Sequence, residues 1–310
     1  MQAQANTKSK ENWITARIPK KDLQEWGWGY LMIAPTIIGL LVLNIIPVIK
    51  TFIMSFQKTN DFGTNAWIGL ENYKKLLSDP AVWQATGNTF KYAIIVVPIS
   101  IILALVVAVL LNQNIKGKSI YRTIYFLPMV AAPAAIAMVW RWLFNSQYGI
   151  INQVLLKFGI EGPMWLTDSK FALIAIAIVG IWSCLGYNMV LLLAGLQEIP
   201  KDYYEAASID GSGPVRTFFK ITLPLVSPTM FFVVVTSVIS SLQVFDTIFM
   251  MIDKTSVAME STQSLVYLFY KYSFVVNDKG YGSAIVMLLL AFIMVITLVQ
   301  LKVQKKWVHY

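Results

Sequence analysis

The sequence predicts an all-α membrane protein with six transmembrane helices, and its composition and its hydropathy pattern carry that prediction. Hydrophobic residues make up 57% of the 310 residues and charged residues only 13%, whereas about 25% of the residues of a soluble domain are charged. The apolar residues are gathered into six long runs. Each run is close to the roughly 20 residues that a helix needs to cross the hydrocarbon core of a bilayer.

A polar N-terminal segment precedes the six runs. We expect residues 1–29 to be a cytoplasmic segment that ends in an interfacial helix, because Trp26 and Trp28 are of a residue type favoured at the membrane surface. The segment has no apolar core of the kind found in signal peptides. The predicted spans are 30–49, 92–111, 124–144, 171–195, 229–252 and 282–301. They define a transmembrane domain at 30–301, which a basic cytoplasmic tail at 302–310 follows.

The distribution of basic residues predicts that both termini are cytoplasmic. The short connection between the second and third predicted spans carries Lys116, Lys118 and Arg122, and positive charge near span ends is retained on the cytoplasmic side. The basic residues that give the net charge of +9 are therefore expected to orient the chain in the membrane. No nucleic-acid partner is expected.

Several kinds of chemistry are excluded. Cys184 is the only cysteine and His309 the only histidine, so neither an intramolecular disulfide nor a histidine-based metal site or catalytic triad is available. Gly117-Lys118-Ser119 resembles the end of a phosphate-binding loop, but Asn112 stands where the first glycine is required, and an apolar helix precedes it instead of a strand. We therefore expect no enzyme activity, no metal and no cofactor in this chain.

A polar stretch at 197–224 interrupts the apolar runs and predicts a helix, a hinge and a second helix. Tyr203, Tyr204, Ala206 and Ala207 are expected to form one face of the first helix, and Gly211-Ser212-Gly213 forms the hinge. Pro214 suits the first turn of the second helix. In that helix Val215, Phe218, Phe219 and Thr222 share a face, and Pro224 is expected to end it.

This stretch resembles the EAA loop of the permease subunits of bacterial ABC importers, in the version typical of carbohydrate uptake. The resemblance rests on Ile199-Pro200, then Tyr204-Glu205-Ala206-Ala207, then Asp210-Gly211, and Leu223-Pro224 further on. In that family the loop lies on the cytoplasmic side and docks into a groove on the ATPase subunit. The resemblance therefore implies a type I ABC importer permease fold in the inner membrane. It assigns ATPase coupling to Tyr204, Glu205, Ala206, Ala207, Asp210, Gly211, Leu223 and Pro224.

The resemblance extends to most of the chain from Tyr30 onward. It includes Trp67 to Tyr73, Tyr121 to Pro128 and Gly280 to Ala284. Many family members carry a Gly-Gly-Pro turn after the fifth span, where this chain has Ile252-Asp253-Lys254-Thr255, so the geometry of that outer loop is expected to differ.

Polar side chains within two spans predict a substrate pathway, because polar groups in a bilayer usually face a cavity or another helix. In the fifth predicted span Thr236, Ser240, Gln243 and Thr247 form one stripe, with Ser237 and Ser241 beside it. Hydroxyls and amides bind an uncharged sugar through hydrogen bonds, and an aromatic ring such as Phe245 stacks on a pyranose face. The alternative is that these hydroxyls bond only their own backbone or join helices.

In the maltose-type members of the family, sugar contacts come from the corresponding parts of the fourth and fifth spans. The resemblance carries that role to Leu185, Gly186, Tyr187, Asn188, Ser237, Ser240, Ser241 and Val244. Gln243, Phe245 and Asp246 complete the predicted pathway. For Asp246 three roles stay open: an ion pair with Arg141, a cap at a helix end, or a proton site.

The predicted function is that of the membrane-spanning subunit of an ATP-driven, binding-protein-dependent importer that moves a sugar, with a di- or oligosaccharide expected, by alternating access. The resemblance implies a second homologous permease in a heterodimer, two copies of an ABC ATPase that hold ATP and Mg, and an extracytoplasmic sugar-binding protein. The alternative hypothesis is a proton-coupled secondary transporter that uses Asp246.

Overall fold

The computed structural model describes residues 20–59, 65–113 and 115–307, and the chain divides into two compact units, one ending at Ile53 and the other beginning at Met54. In the first unit α1 (Lys20–Leu40), a π-helical turn (Leu41–Ile45) and α2 (Ile46–Met54) follow one another without interruption. The π turn has a physical cause. Pro47 offers no N–H, and its ring would clash with the carbonyl four residues earlier, so the helix widens just before it.

The second unit is almost entirely helical. It contains β1 (Gln57–Thr59), β2 (Asn65–Trp67), α3 (Glu71–Ser78), α4 (Pro80–Asn112), α5 (Lys118–Val130), α6 (Pro133–Leu143), α7 (Ile150–Lys157), α8 (Ala172–Gln197), α9 (Lys201–Ile209), α10 (Pro214–Thr217), a π turn (Phe218–Thr222), α11 (Leu223–Leu225), α12 (Ser227–Leu242), α13 (Asp246–Met251), α14 (Ala258–Thr262), α15 (Leu265–Tyr270), a π turn (Lys271–Val275) and α16 (Lys279–Trp307). The two strands pair as a short antiparallel hairpin, with Lys58 opposite Ala66.

Four helical stretches of the described chain are long and apolar enough to cross a membrane: Trp26–Met54, Pro80–Asn112, Ala172–Gln197 and Lys279–Lys305. Two further spans are possible only as bent helix pairs, so the total is up to six. The all-α, six-span fold predicted from the sequence is thus confirmed in class, and two of its spans are broken.

The third predicted span is not one straight helix. It consists of α5 and α6, which meet at an angle of 100°. Ala132, which precedes Pro133, has φ −62° and ψ 133°, in keeping with the clash by which a proline ring disfavours the helical conformation of the residue before it. The expected continuous helix over 124–144 was therefore wrong at residues 131–132.

The fifth predicted span, 229–252, was also expected to be one continuous helix, and this was wrong as well. Helix α12 ends at Leu242 and α13 begins at Asp246, with Phe245 at φ −142° and ψ −59° between them. Thr247 consequently does not continue the stripe of Thr236 and Ser240 along one helix. At the other end α12 is bent by 67° from the helical stretch Pro214–Leu225.

The core of the second unit is built on the packing of α4 against α8, with α12 alongside. On α4, Val97, Ile101, Ala104 and Ala108 recur every three or four residues and face Met189, Leu192, Leu193 and Leu196 on α8. Small side chains on one face let two helix backbones approach closely. This core holds the middle of α8 beside the middle of α12, where the candidate site lies.

Candidate functional site

The polar loop at 197–224 folds as helix, hinge and second helix, as predicted. In α9 the predicted apolar face is only partly inward, because Ala207 is buried and Tyr204 half-buried, whereas Tyr203 and Ala206 are exposed. The Tyr204 hydroxyl shares a hydrogen bond of 3.3 Å with the Thr222 hydroxyl. This bond ties the start of the loop to its return toward α12. Glu205, Asp210 and Gly211 are exposed.

The hinge is a helix-terminating motif that needs glycine. Gly211 has φ +69°, a left-handed conformation that costs side-chain-bearing residues about 1–2 kcal/mol. The Gly211 N–H donates to the Ser208 carbonyl at 3.1 Å and the Ser212 N–H to the Ala207 carbonyl at 2.9 Å. These two bonds form the Schellman pattern at the end of α9.

The second helix of the loop differs from its prediction at two points. A π turn at Phe218–Thr222 shifts the register by one residue, so Thr222 is buried while Val215 and Phe219 are 70% and 58% exposed. Pro224 does not end the helix, because the π turn makes room for its ring and α11 continues to Leu225. Leu223 and Pro224 are half-buried. The loop therefore presents exposed apolar side chains beside its charges, including Ile209, which is 86% exposed.

An open cavity of about 450 Å³ lies between α8 and α12. It is lined by Met129, Ser183, Cys184, Tyr187, Asn188, Thr236, Ser237, Ile239 and Ser240. The lining thus combines hydroxyls, an amide, a thiol and a phenol with a few apolar side chains. No lysine, arginine, aspartate or glutamate belongs to it.

Asn188 is the polar centre of this cavity. Its side chain is 1% exposed, and its Oδ1 accepts a hydrogen bond of 3.3 Å from the Ser237 hydroxyl. Its Nδ2 has no hydrogen-bond partner in the part of the chain that the structure describes. A buried N–H group without a partner costs about 1–3 kcal/mol, so an acceptor on a bound molecule would be stabilised here.

The hydroxyls of α12 are partly satisfied by their own helix. Thr236 Oγ1 donates to the Phe232 carbonyl at 3.0 Å, and Ser240 Oγ donates to the Thr236 carbonyl at 2.9 Å. Each hydroxyl oxygen still has acceptor capacity. These groups are therefore placed to accept hydrogen bonds from a hydroxylated molecule.

The structure brings together some of the predicted pathway residues and separates others. Tyr187, Asn188, Ser237 and Ser240 line the cavity, whereas Leu185, Gly186, Ser241, Gln243 and Val244 do not. Gly186 packs against the backbone of Tyr125 in α5. Val244 is buried, and its carbonyl accepts a hydrogen bond of 2.6 Å from the Ser264 hydroxyl. These residues lie behind the side chains that form the surface of the cavity.

Phe245 is turned toward other aromatic rings. Its ring stacks on Phe249 with 5.2 Å between centroids and contacts Tyr270 at 5.3 Å. The break at Gln243 to Phe245 turns the side chain away from the stripe of α12, so it is not among the residues that line the cavity.

Sequence reasoning missed three polar or flexible lining residues, Ser183, Cys184 and Met129. Ser183 precedes Tyr187 by one helical turn, so the helical period applied to the fourth span would have found it. Met129 comes from the bend between α5 and α6, which no periodicity in the sequence indicates.

A second open cavity, of about 230 Å³, contains Asp246. It is lined by Pro128, Met129, Ala131, Pro133, Ile136, Ala137, Val179, Ser183, Asp246 and Thr247. Asp246 is exposed and is the first residue of α13, where the helix dipole favours a negative charge. Asp246 thus lies at a helix end, but the N-cap residue is Phe245 and no side-chain capping hydrogen bond is formed there.

The predicted alternative of an ion pair between Arg141 and Asp246 is wrong, because the described residues contain no such pair. Arg141 instead donates from Nη1 to the Met250 carbonyl at 3.4 Å. It lines a separate cavity together with Asp253. The backbone N–H and the hydroxyl of Thr255 bond to Asp253 and, with a smaller contribution from Arg141, hold the pKa of that carboxyl below its usual value.

A family of transport proteins matches this chain. The family model described as "Binding-protein-dependent transport system inner membrane component" matches residues 96–309.

Groups of three or more His, Cys, Asp or Glu that would hold a metal ion do not occur among the described residues.

Curated relatives match over nearly the whole chain. The probable ABC transporter permease protein YesP of Bacillus subtilis (strain 168) is 36% identical, over 91% of this chain and 92% of the relative. The trehalose/maltose transport system permease protein MalF of Thermococcus litoralis is 34% identical, over 94% and 98%. The sn-glycerol-3-phosphate transport system permease protein UgpA of Escherichia coli (strain UTI89 / UPEC) is 32% identical, over 91% and 95%.

A solved structure shares the fold. One chain of a bacterial alginate ABC transporter, crystallised in complex with an alginate pentasaccharide-bound periplasmic protein, matches with a TM-score of 0.82. It is 21% identical and covers 93% of this chain and 97% of its own length. The permease fold implied by the EAA resemblance is thereby confirmed.

Proposed function

Because this chain belongs to the family of inner membrane components of binding-protein-dependent transport systems, we propose that it is a sugar-translocating permease subunit of an ABC importer. The observation that carries the substrate class is the cavity between α8 and α12, whose polar lining is uncharged. Relatives named for trehalose/maltose and for arabinooligosaccharides support a di- or oligosaccharide.

The cavity is suited to a neutral, hydroxylated solute. Asn188 supplies an unpartnered amide N–H, while Ser237, Ser240 and Thr236 supply hydroxyl oxygens. A phosphate or carboxylate would be held by arginine or lysine, and neither residue lines this cavity. We assign the substrate contacts to Tyr187, Asn188, Ser237 and Ser240. Leu185, Gly186, Ser241 and Val244 support them from the wall.

The loop at 197–224 is the proposed coupling element. Its exposed apolar side chains Tyr203, Ile209, Val215 and Phe219 would be covered by an ATPase subunit. Glu205 is the exposed acid at the centre of α9 and would hold that helix in the ATPase groove. Tyr204 links α9 to Thr222, so a displacement of α9 is transmitted to the segment that leads into α12.

The proposed assembly contains two permeases, this chain and a homologue, with two copies of an ABC ATPase that hold ATP and Mg. An extracytoplasmic sugar-binding protein delivers the substrate. In this arrangement residues 1–29 and 302–310 are cytoplasmic and 30–301 form the transmembrane domain, with Leu223 and Pro224 at its cytoplasmic edge.

The coupling role is tested by co-purification. Tagged protein is isolated in mild detergent, and the proteins that accompany it are identified by mass spectrometry. We expect a second permease and an ATPase with the unmodified chain, and loss of the ATPase alone with Glu205→Lys, because the reversed charge would no longer fit the groove. Glu161→Lys is the matched control, since it reverses an exposed charge in the loop after α7. A homo-oligomer without any ATPase would overturn the proposal.

The substrate contacts are tested by uptake. In cells that depend on this importer for a disaccharide, Asn188→Leu is expected to lower uptake at least about tenfold, because it replaces the amide by a side chain of similar volume without hydrogen-bonding groups. Gln147→Leu, which removes an exposed amide outside the cavity lining, is expected to retain most uptake. Equal uptake by Asn188→Leu and the unmodified chain would contradict the assignment.

A further inference from the structure

Two side chains connect the Asp246 cavity with the cavity around Asn188. Met129, just before the bend between α5 and α6, and Ser183, on α8, line both cavities. No other described residue lines both cavities. The two spaces therefore adjoin, and the flexible Met129 side chain lies at their junction.

The order of the two cavities along the chain follows from the helices. On α8, Val179 lines only the Asp246 cavity, Ser183 lines both, and Tyr187 and Asn188 line only the larger one. Helix α8 runs on toward the coupling loop at 197–224. In the proposed orientation the Asp246 cavity is thus the outer compartment and the Asn188 cavity the deeper one.

Among the described residues, Asp246 is the only charged one that lines either compartment. Two cations of the flanking segments contact other groups. Arg141 donates to the Met250 carbonyl and lines another cavity, and the Lys254 ammonium lies 4.6 Å from the centroid of the Phe249 ring. The carboxylate therefore presents to a solute in the outer compartment a negative charge that no ion pair within the described residues neutralises.

We propose that Asp246 is a specificity-determining residue that excludes anionic solutes from the path to Asn188 and admits neutral and cationic ones. Resting on the proposed function, this narrows the substrate class to sugars without a phosphate, sulfonate or uronate group. A neutral sugar can donate hydroxyl hydrogen bonds to the carboxylate, which are stronger than bonds to a neutral acceptor. An anionic sugar could donate the same hydroxyl hydrogen bonds, but its charge would be repelled by the like charge of the carboxylate.

Cys184 provides the measurement, because the only cysteine of the chain lines the deeper compartment. The assembled transporter, with its other subunits made cysteine-free, is placed in sealed right-side-out vesicles and trapped with ATP and vanadate on the cytoplasmic side. It is then treated with two membrane-impermeant methanethiosulfonates of similar size, one with a trimethylammonium group and one with a sulfonate. In both reactions the Cys184 thiolate attacks the sulfenyl sulfur, a mixed disulfide forms and methanesulfinate leaves.

The quantity measured is the ratio of the two modification rates, from which the reactivity of the thiol and the time for which the path is open cancel. After normalisation to the ratio for a small free thiol, we expect the cationic reagent to be favoured on the order of tenfold or more, because the Asp246 charge attracts one reagent and repels the other. Asp246→Asn should bring the normalised ratio close to one.

Two variants complete the design. Asp253→Asn makes the same change at a carboxylate that lines neither compartment, and should alter the ratio by less than about twofold because that charge does not face a solute in either compartment. Met129→Ala should raise both rates and leave the ratio unchanged, because it widens the junction without changing its charge.

Each contrary result has a distinct meaning. A ratio that is the same in Asp246→Asn and the unmodified chain overturns the charge filter and leaves the importer function intact. Failure of both reagents to reach Cys184, even in Met129→Ala, shows that the two cavities are not one path and also overturns the filter. Failure of the co-purification described above would instead remove the importer function on which the filter rests.

Discussion

Gly186 shows how one residue sets the distance between two helices. A Cβ atom at this position would collide with the Tyr125 carbonyl oxygen and the Phe126 Cα of α5. Those are backbone atoms, which cannot rotate away as a flexible side chain can. Gly186 therefore fixes the crossing of α5 and α8 beside the cavity.

Gly186→Ala is expected to destabilise the folded protein by about 1–3 kcal/mol, the usual cost of forcing an extra methyl group into a packed contact. The measurement is the thermal midpoint in detergent, followed by size-exclusion chromatography. Gly87→Ala is the matched control, because nothing lies within 4 Å of a Cβ there, and alanine is the better helix former. Equal midpoints for the two variants would contradict the packing role.

Asp79 joins the start of α4 to the start of α16. It accepts a hydrogen bond of 2.9 Å from the Ala81 N–H, which caps α4, and one of 2.7 Å from the Tyr281 hydroxyl. The Tyr272 hydroxyl lies 3.5 Å away on the same carboxylate oxygen. Burial and the nearby Asp79 charge raise the pKa of Tyr272, so its hydroxyl remains a donor at physiological pH.

Tyr281→Phe should lower the stability by about 1.5–3 kcal/mol, since a buried hydrogen bond to a charged group is lost while the ring remains. Tyr148→Phe serves as control, because its side chain is 57% exposed and its hydroxyl bonds to no described residue. The thermal midpoint of each variant provides the comparison. Equal thermal midpoints for Tyr281→Phe and the control would show that the hydrogen bond between α4 and α16 contributes nothing to stability.

Among single residues, those whose role depends on chemistry alone were predictable. Asn188 and Ser237 were expected in the pathway because polar groups in an apolar span need a partner, and they do line the cavity. The position of Phe245 was not predictable, because its ring direction is set by a backbone break that leaves the hydropathy of the sequence unchanged.

At the scale of elements, two π turns accompany prolines within helices. One, at Leu41–Ile45, precedes Pro47, and the other, at Phe218–Thr222, precedes Pro224. In each, the wider turn accommodates the missing N–H and the bulk of the ring. Proline therefore did not end the second helix of the coupling loop, although it breaks the third span at Pro133, where the preceding residue is extended.

The hinge of the loop yields a test at this scale. Gly211→Val forces a β-branched residue into φ +69° and should disturb the end of α9 at a cost of about 1–2 kcal/mol. We expect less ATPase in the co-purification with the permease partner retained. Gly213→Val is the control, since Gly213 has φ −69° and ψ 161°, which valine adopts freely. The hinge role would be contradicted by equal ATPase recovery in both variants.

The broken spans mark the limit of sequence reasoning about elements. Residues 131–132 and 243–245 lie inside runs whose hydropathy suits a membrane, so the six spans were found but their breaks were not. Pro133 was a local signal for the first break. At the second break Gln243 to Phe245 contain neither proline nor glycine, and tertiary packing decides where α12 ends.

At the scale of the whole molecule, the orientation in the membrane is a prediction from the basic residues and the loop. In a Cys184→Ser background, a cysteine in place of Ser208 on α9 should react only with reagents that reach the cytoplasm. A cysteine in place of Glu161, in the loop after α7, should react only from outside. Both side chains are exposed. Labelling of both from the same side would contradict the topology.

Fold class and family were readable from the chain because both depend on long patterns, namely apolar runs and the spaced residues of the coupling loop. The cavity was readable only in part. Its walls come from α5, α8 and α12, which are distant in sequence, and the contribution of Met129 depends on a bend of 100° between two helices. Three-dimensional packing alone assembles that surface.

The central claim is that the cavity around Asn188 is a translocation path driven by a separate ATPase. The most direct measurement is the side of the membrane from which Cys184 reacts with impermeant thiol reagents. It is made in sealed vesicles of either orientation, once without nucleotide and once after trapping with ATP and vanadate. We predict faster modification from the cytoplasmic side without nucleotide and from the outer side in the trapped state, with Glu205→Lys abolishing the change. Modification that is independent of nucleotide would contradict the claim.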